Sequence, residues 1–230
     1  MVAAVRETPR FRTFAEVLAH LGDVPPERVL SHPEPGTATP EDLLNPAITG
    51  DRPCELIDGV LVEKAMGANA DGIGTWLLVQ ICNFASLQNL GKVFGAQGGF
   101  VLNGMTVRMP DASFYRWDSV SDPAELDHLS TAFLQEAPDL VVEVLSPGNT
   151  KKEMELKRAE YEAIGVELAW YVDPEARTVT VYPKGKLRGS KVLTEVDTLD
   201  GGKVLPGFAL PVADLFASRA PATKPKKKRK

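Results

Sequence analysis

Three charged residues stand where apolar or turn residues would be expected, and their types suit one kind of chemistry. Glu143 lies inside residues 139–145, a run otherwise dense in Val and Leu that Ser146-Pro147-Gly148 ends. The run is too short for a typical helix and reads as a buried central strand. Alternation puts Glu143 on one face with Asp139, Val141 and Leu145, and Val142 and Val144 on the other. A carboxylate there is costly without a partner. Thr150 and Glu153 form a capping box that opens a helix to about Ile164, where Gly165 stops it. On that helix Met154, Lys157, Tyr161 and Ile164 share one stripe, which should face the sheet, so Lys157 points inward. Asp111 follows Pro110 and opens a second alternating segment. Two carboxylates and an ammonium are the elements of a hydrolytic site for a hard cation such as Mg2+ or Mn2+, which takes oxygen ligands, activates water and offsets charge on a phosphate. The alternative is a buried Glu–Lys pair that is purely structural.

The rest of the chain must position these residues. Its 230 residues, 43% of them hydrophobic, suffice for one substantial core. Cys54 and Cys82 form no spacing pattern, and the N-terminus has no apolar run of signal-peptide length, so the sequence points to a reducing, cytoplasmic setting. No run approaches the roughly 20 apolar residues of a membrane span, so no membrane partner is expected. Residues 1–223 carry 20 basic against 31 acidic residues. Such a body lacks the basic footprint of an ordinary DNA binder.

In chain order, a short helix over 13–21 precedes a proline-rich, loosely packed stretch. Asp58-Gly59, between the triplets ELI and VLV, marks a two-residue hairpin. Helical spacing of Ile73, Leu77, Ile81 and Phe84 predicts a long helix over 69–90. Short strands follow at 93–95, 99–102, 106–109 and 111–115, then a polar surface excursion over 118–134. After the central strand and its helix come strands near 169–172, 178–182 and 192–196 and a short terminal helix before Phe216. His20, His32 and His128 are scattered and read as surface residues, and Tyr161 as a core aromatic. The run KPKKKRK at the end, residues 224–230, matches a monopartite nuclear import signal and would direct nuclear import in a eukaryotic cell.

The ordered pieces CELIDGVLVEK (54–64), RMPDASF (108–114), APDLVVEVLSPGNT (137–150) and KRAEYEAIGVELAWYVDP (157–174) resemble the Uma-two family of restriction-endonuclease-like proteins, a branch of the PD-(D/E)XK nuclease superfamily. The resemblance implies an α/β fold with a restriction-endonuclease-like core: a mixed central sheet flanked by helices. Together with the proline-rich start and the basic end, the chain is expected to divide into an accessory N-terminal segment (1–50), the nuclease-like domain (51–217) and a disordered basic tail (218–230). The resemblance makes Asp111 and Glu143 metal ligands, with Mg2+ or Mn2+ as the cofactor and DNA as the partner, and is compatible with a homodimer. Where the superfamily has a lysine two residues after the acid, this chain has Leu145, and Lys157 matches the helix lysine of the family. Asp71 is the nearest acid to the family's first-helix position at Ala70. The expected geometry gathers Asp111 and Glu143 around one cation with Lys157 in the same pocket. Two functions follow: a metal-dependent endonuclease, or a non-catalytic interaction protein on a nuclease-like scaffold.

Overall fold

The computed structural model describes residues 9–185 and 190–218. The tail at 224–230 lies outside them. The N-terminal part holds helices α1 (Phe14–His20), α2 (Pro40–Leu43) and α3 (Pro46–Thr49), with a single 3-10 turn at Pro26–Arg28. Strands β1 (Cys54–Ile57) and β2 (Val60–Glu63) form the expected hairpin, and both turn residues adopt positive φ, Asp58 at 46° and Gly59 at 77°. Helix α4 (Ala68–Leu87) leads into β3 (Gly91–Gly95), β4 (Phe100–Asn103), β5 (Thr106–Arg108) and β6 (Ala112–Arg116). After α5 (Pro123–Asp127) come β7 (Leu140–Val144), α6 (Lys151–Ile164), β8 (Leu168–Asp173) and β9 (Thr178–Pro183). The chain closes with β10 (Lys191–Leu193), β11 (Thr198–Gly201), β12 (Leu205–Pro211) and α7 (Val212–Leu215).

A mixed six-stranded sheet, ordered β10-β9-β8-β7-β6-β3, is the centre of the fold. Its β7–β8 pair is parallel and its other pairs are antiparallel. Parallel neighbours need a crossover, and α6 supplies it. Alternation along β7 decides what each face carries. Leu140, Val142 and Val144 pack with Ile73, Leu77 and Ile81 of α4, while Val141 joins Tyr161 of α6 and Tyr171 of β8 on the other face. The β11–β12 hairpin and α7 extend the α4 layer, burying Leu199, Phe208, Leu210 and Leu215.

A second sheet, ordered β2-β1-β5-β4, also meets α6, where Phe100 of β4 approaches Tyr161 at a ring separation of 5.8 Å. Helix α6 therefore touches both sheets through one stripe of side chains. Its start is the capping box expected from Thr150 and Glu153, and its end is Gly165 at φ 102°.

The N-terminal segment is not loosely packed. Prolines remove backbone donors but do not stop apolar side chains from being buried. Val17, Leu21, Val24 and Val29 pack on Ile57, Val60 and Val62, and the Leu30 amide donates to the Leu61 carbonyl at 3.0 Å. Arg28, 9% exposed, makes a bidentate pair with Glu153 at 2.9 and 2.7 Å and donates to the carbonyls of Glu63 and Gly148. The segment thus clasps the loop and cap that open α6. The excursion at 118–134 is likewise tied down, since Leu126, Phe133 and Leu134 are buried. Among the described residues no helix is long and apolar enough to cross a membrane.

Candidate active site

Glu143 points from β7 toward α6, the face that strand alternation assigns it. Lys157 reaches it from two turns into α6, with Nζ 2.9 Å from the Glu143 carboxylate. The same ammonium lies 3.0 Å from Glu55 Oε1, on β1 of the second sheet. One lysine therefore bridges carboxylates from two sheets. All three residues are at most 5% exposed. Tyr161, one turn further along α6, is a core aromatic and also donates its hydroxyl to Glu143 Oε1. Arg108 of β5 completes the inner ring, with Nη1 2.9 Å from Glu55 and Nη2 2.7 Å from Glu160 of α6. The Met109 amide donates to Glu55 Oε1 at 2.8 Å.

Asp111 enters differently from expectation. It lies outside the β6 ladder, which begins with Ala112 opposite Val142, and its own amide donates to the Val142 carbonyl at 3.0 Å. Strand alternation does not set its side chain. A Cβ placed on Gly74 of α4 would be 3.8 Å from Asp111 Cβ, so the residue starts against α4 at the end of the sheet. From there its carboxylate accepts the Val144 amide at 2.7 Å, next to Glu143 in sequence. Lys64, not Lys157, is its cation: Nζ lies 3.0 Å from Asp111 Oδ1 and 2.6 Å from the Met109 carbonyl. Asp71 is exposed in the first turn of α4.

The two carboxylates that share Lys157 are pushed in opposite directions. Burial raises the pKa of Glu55, but Lys157, Arg108, Lys64 and the Met109 amide outweigh it and hold the group at about 2. Burial also raises Glu143; Lys157 opposes that rise, and the neighbouring charges of Asp111 and Glu55 add to it, leaving its pKa above the ordinary value. Burial disfavours the charged form of Lys157, yet Glu143 and Glu55 outweigh it, so the ammonium stays protonated.

The donors suit a hard cation. Glu55, Asp111, Glu143 and the Met109 carbonyl are all oxygen ligands, and they already gather around positive ammonium nitrogens. Among the described residues no three His, Cys, Asp or Glu side chains converge in metal-holding geometry. A cation here would use a carboxylate pair and complete its shell with a backbone carbonyl and water. A cleft of about 730 Å3 runs between the starts of α4 and α6 and strands β8 and β9, with Ser146, Arg158, Tyr171 and Tyr182 in its walls.

Sequence reasoning picks out Glu143, Lys157 and Asp111 and misses Glu55, Arg108 and Lys64. Glu55 carries the same signal as Glu143, a carboxylate inside the apolar run CELI.

An α/β fold with a mixed central sheet flanked by helices is the framework of restriction-endonuclease-like nucleases. The fold matches the crystal structure of a protein described as a "putative nuclease belonging to DUF820" from Anabaena variabilis, with a TM-score of 0.60 and 22% identity over 71% of this chain and 89% of that one. The family Uma2, described as "Putative restriction endonuclease", matches residues 40–213, and the chain belongs to it. No curated protein matches the chain.

Proposed function

We propose that the protein is a divalent-metal-dependent endonuclease that hydrolyses DNA phosphodiester bonds, with Asp111 and Glu143 as the ligands of Mg2+ or Mn2+ and Lys157 as the catalytic lysine. The observation that carries this reading is the Lys157 ammonium, delivered from a helix to within 2.9 Å of the strand carboxylate Glu143. Leu145 cannot supply a charge, and its side chain packs in the apolar cluster on the α6 face. The helix lysine stands in for the missing strand lysine.

The division of labour follows from the partners. Glu55, kept ionised by Arg108 and the Met109 amide, anchors Lys157 from behind. Tyr161 fixes one oxygen of Glu143. Lys157, kept charged, can offset negative charge on a phosphate oxygen or orient water against it. A bound divalent cation would supply a more acidic water and Lewis-acid stabilisation of the phosphate. Asp111 is the most exposed of the three acids, with 26% of its side chain accessible. Cutting both strands at one position takes two such sites, which a homodimer would provide. The reading carries a cytoplasmic setting, with residues 224–230 acting as an import signal only in a eukaryotic cell.

One observation favours the non-catalytic scaffold instead: every buried acid of the group already has a cation of the protein as its partner. Supercoiled plasmid incubated with Mg2+ or Mn2+ separates the two readings. Nicking or linearisation that disappears with chelator and in both Glu143→Gln and Lys157→Met is expected. Intact plasmid with folded wild-type protein, or equal cleavage by both variants, refutes the nuclease reading.

A further inference from the structure

Lys64 has no part in the proposed chemistry, yet it is the cation nearest the exposed end of the acidic group. Three basic side chains balance Glu55, Asp111 and Glu143, and they are not equivalent. Arg108 has 2% of its side chain exposed and pairs with two carboxylates; Lys157 has 6% exposed and also pairs with two. Lys64 has 13% exposed and holds one carboxylate, Asp111, and one backbone carbonyl. It is the least buried of the three and the least held. Its backbone is fixed, because its amide donates to the Pro53 carbonyl at 2.8 Å just past the end of β2. The four-carbon stem beyond that anchor can swing without moving the strand.

We propose that Lys64 is a resident counter-cation, its ammonium occupying the space between Asp111 Oδ1 and the Met109 carbonyl so that a divalent cation gains the use of Asp111 only by displacing it. The inference rests on the reading of Asp111 as a metal ligand. Two hard oxygens converge on Lys64 Nζ at 3.0 and 2.6 Å, and a small cation competes for that pair of oxygens. Glu55 and Glu143 are 6% and 5% exposed at their side chains, against 26% for Asp111, so an ion entering from solvent meets Asp111 and its lysine first. Displacement trades one positive charge for two. Without a divalent cation the acids therefore stay neutralised, at the expense of metal affinity.

The test is metal binding without DNA. Mn2+ and Ca2+ are titrated calorimetrically into the full chain, Lys64→Met and Lys64→Arg. Met keeps the apolar stem and removes the charge, while Arg keeps the charge. An opposite charge at hydrogen-bonding distance moves a carboxylate's proton affinity by roughly one to three decades, so Lys64→Met is expected to bind Mn2+ about tenfold tighter or more. Lys64→Arg should stay near wild type. In wild-type protein labelled with 15N on lysine, Ca2+ should shift the Lys64 Nζ signal to that of a solvated ammonium. Wild-type binding with equal or weaker affinity in Lys64→Met overturns the inference and leaves the metal reading standing. Absence of binding in every variant at millimolar metal overturns both. If Lys64→Met does not fold, an Nζ signal that Ca2+ leaves unmoved while the metal binds rejects the displacement by itself.

Discussion

Replacing Lys157 by Met keeps most of the side-chain volume and removes the one charge that both sheets share. In the wild type its ammonium lies 2.9 Å from Glu143 and 3.0 Å from Glu55, and the residue is 5% exposed. Glu55 would keep Arg108 and the Met109 amide, whereas Glu143 would keep the neutral Tyr161 hydroxyl and the more distant charge of Lys64. Removing one partner of a buried pair costs about 3 to 5 kcal/mol because the other charge is left uncompensated. For a chain of this size that lowers Tm by roughly 6 to 20 °C. The cost depends on pH. Glu143 is already raised above its ordinary value with Lys157 present, and losing the ammonium raises it further. The folded variant then holds a proton that the unfolded chain releases, so stability falls as pH rises from the unfolded carboxylate value toward the raised folded one. Urea unfolding of wild type and Lys157→Met at pH 5 and pH 8 measures this, with the larger difference expected at pH 8. A difference below about 1 kcal/mol at both pH values would mean that the pair is effectively solvated, and the electrostatic argument for the site would fail.

Three further outcomes follow from neighbouring geometry. Arg28→Met removes the bidentate clasp on Glu153 and should cost about 3 to 5 kcal/mol in urea unfolding, with faster amide exchange over residues 150–154; unchanged exchange there would separate the N-terminal segment from the start of α6. Gly22 has φ +79°, and a Cβ on it would lie 2.5 Å from the Glu153 amide nitrogen. Gly22→Ala should therefore destabilise by more than about 1 kcal/mol, and a neutral result in thermal melts would contradict the close approach. The Tyr171 hydroxyl is buried and has no hydrogen-bond partner among the described residues. Tyr171→Phe should then stay within about 0.5 kcal/mol of wild type, or gain stability, and a clear loss would reveal a partner for that oxygen.

What the sequence discloses about this site depends on how local the signal is. Glu143 and Lys157 each break a periodic pattern, one of period two and the other near 3.6, and they are 14 residues apart across a turn and a capped helix. Local geometry brings them together. Glu55 breaks its own apolar run as visibly, but its arginine partner is 53 residues away on another strand of the second sheet, and no local period encodes that pairing. Asp111 is found by the proline before it, while its approach from the α4 side is hidden because it stands outside the ladder that alternation describes. The N-terminal segment misleads for a related reason. Prolines report missing backbone donors, whereas burial of Val17, Leu21 and Val24 is set by a hairpin that follows them in the chain.

The unequal treatment of Glu55 and Glu143 bears on which acid a cation would seek. Both are buried, and both share the Lys157 ammonium. Glu55 has in addition a guanidinium and a backbone amide, and it is held at about 2. Glu143 has in addition a neutral hydroxyl, and it faces the charge of Asp111. Buried carboxylates with environments this different take different roles. Glu55 is fully compensated, so an added positive charge gains little there and must compete with Arg108. Glu143 is undercompensated, so added charge near it relieves both the burial penalty and the repulsion from Asp111. The same lysine that joins α6 to both sheets therefore leaves one of its two carboxylates, Glu143, short of positive charge.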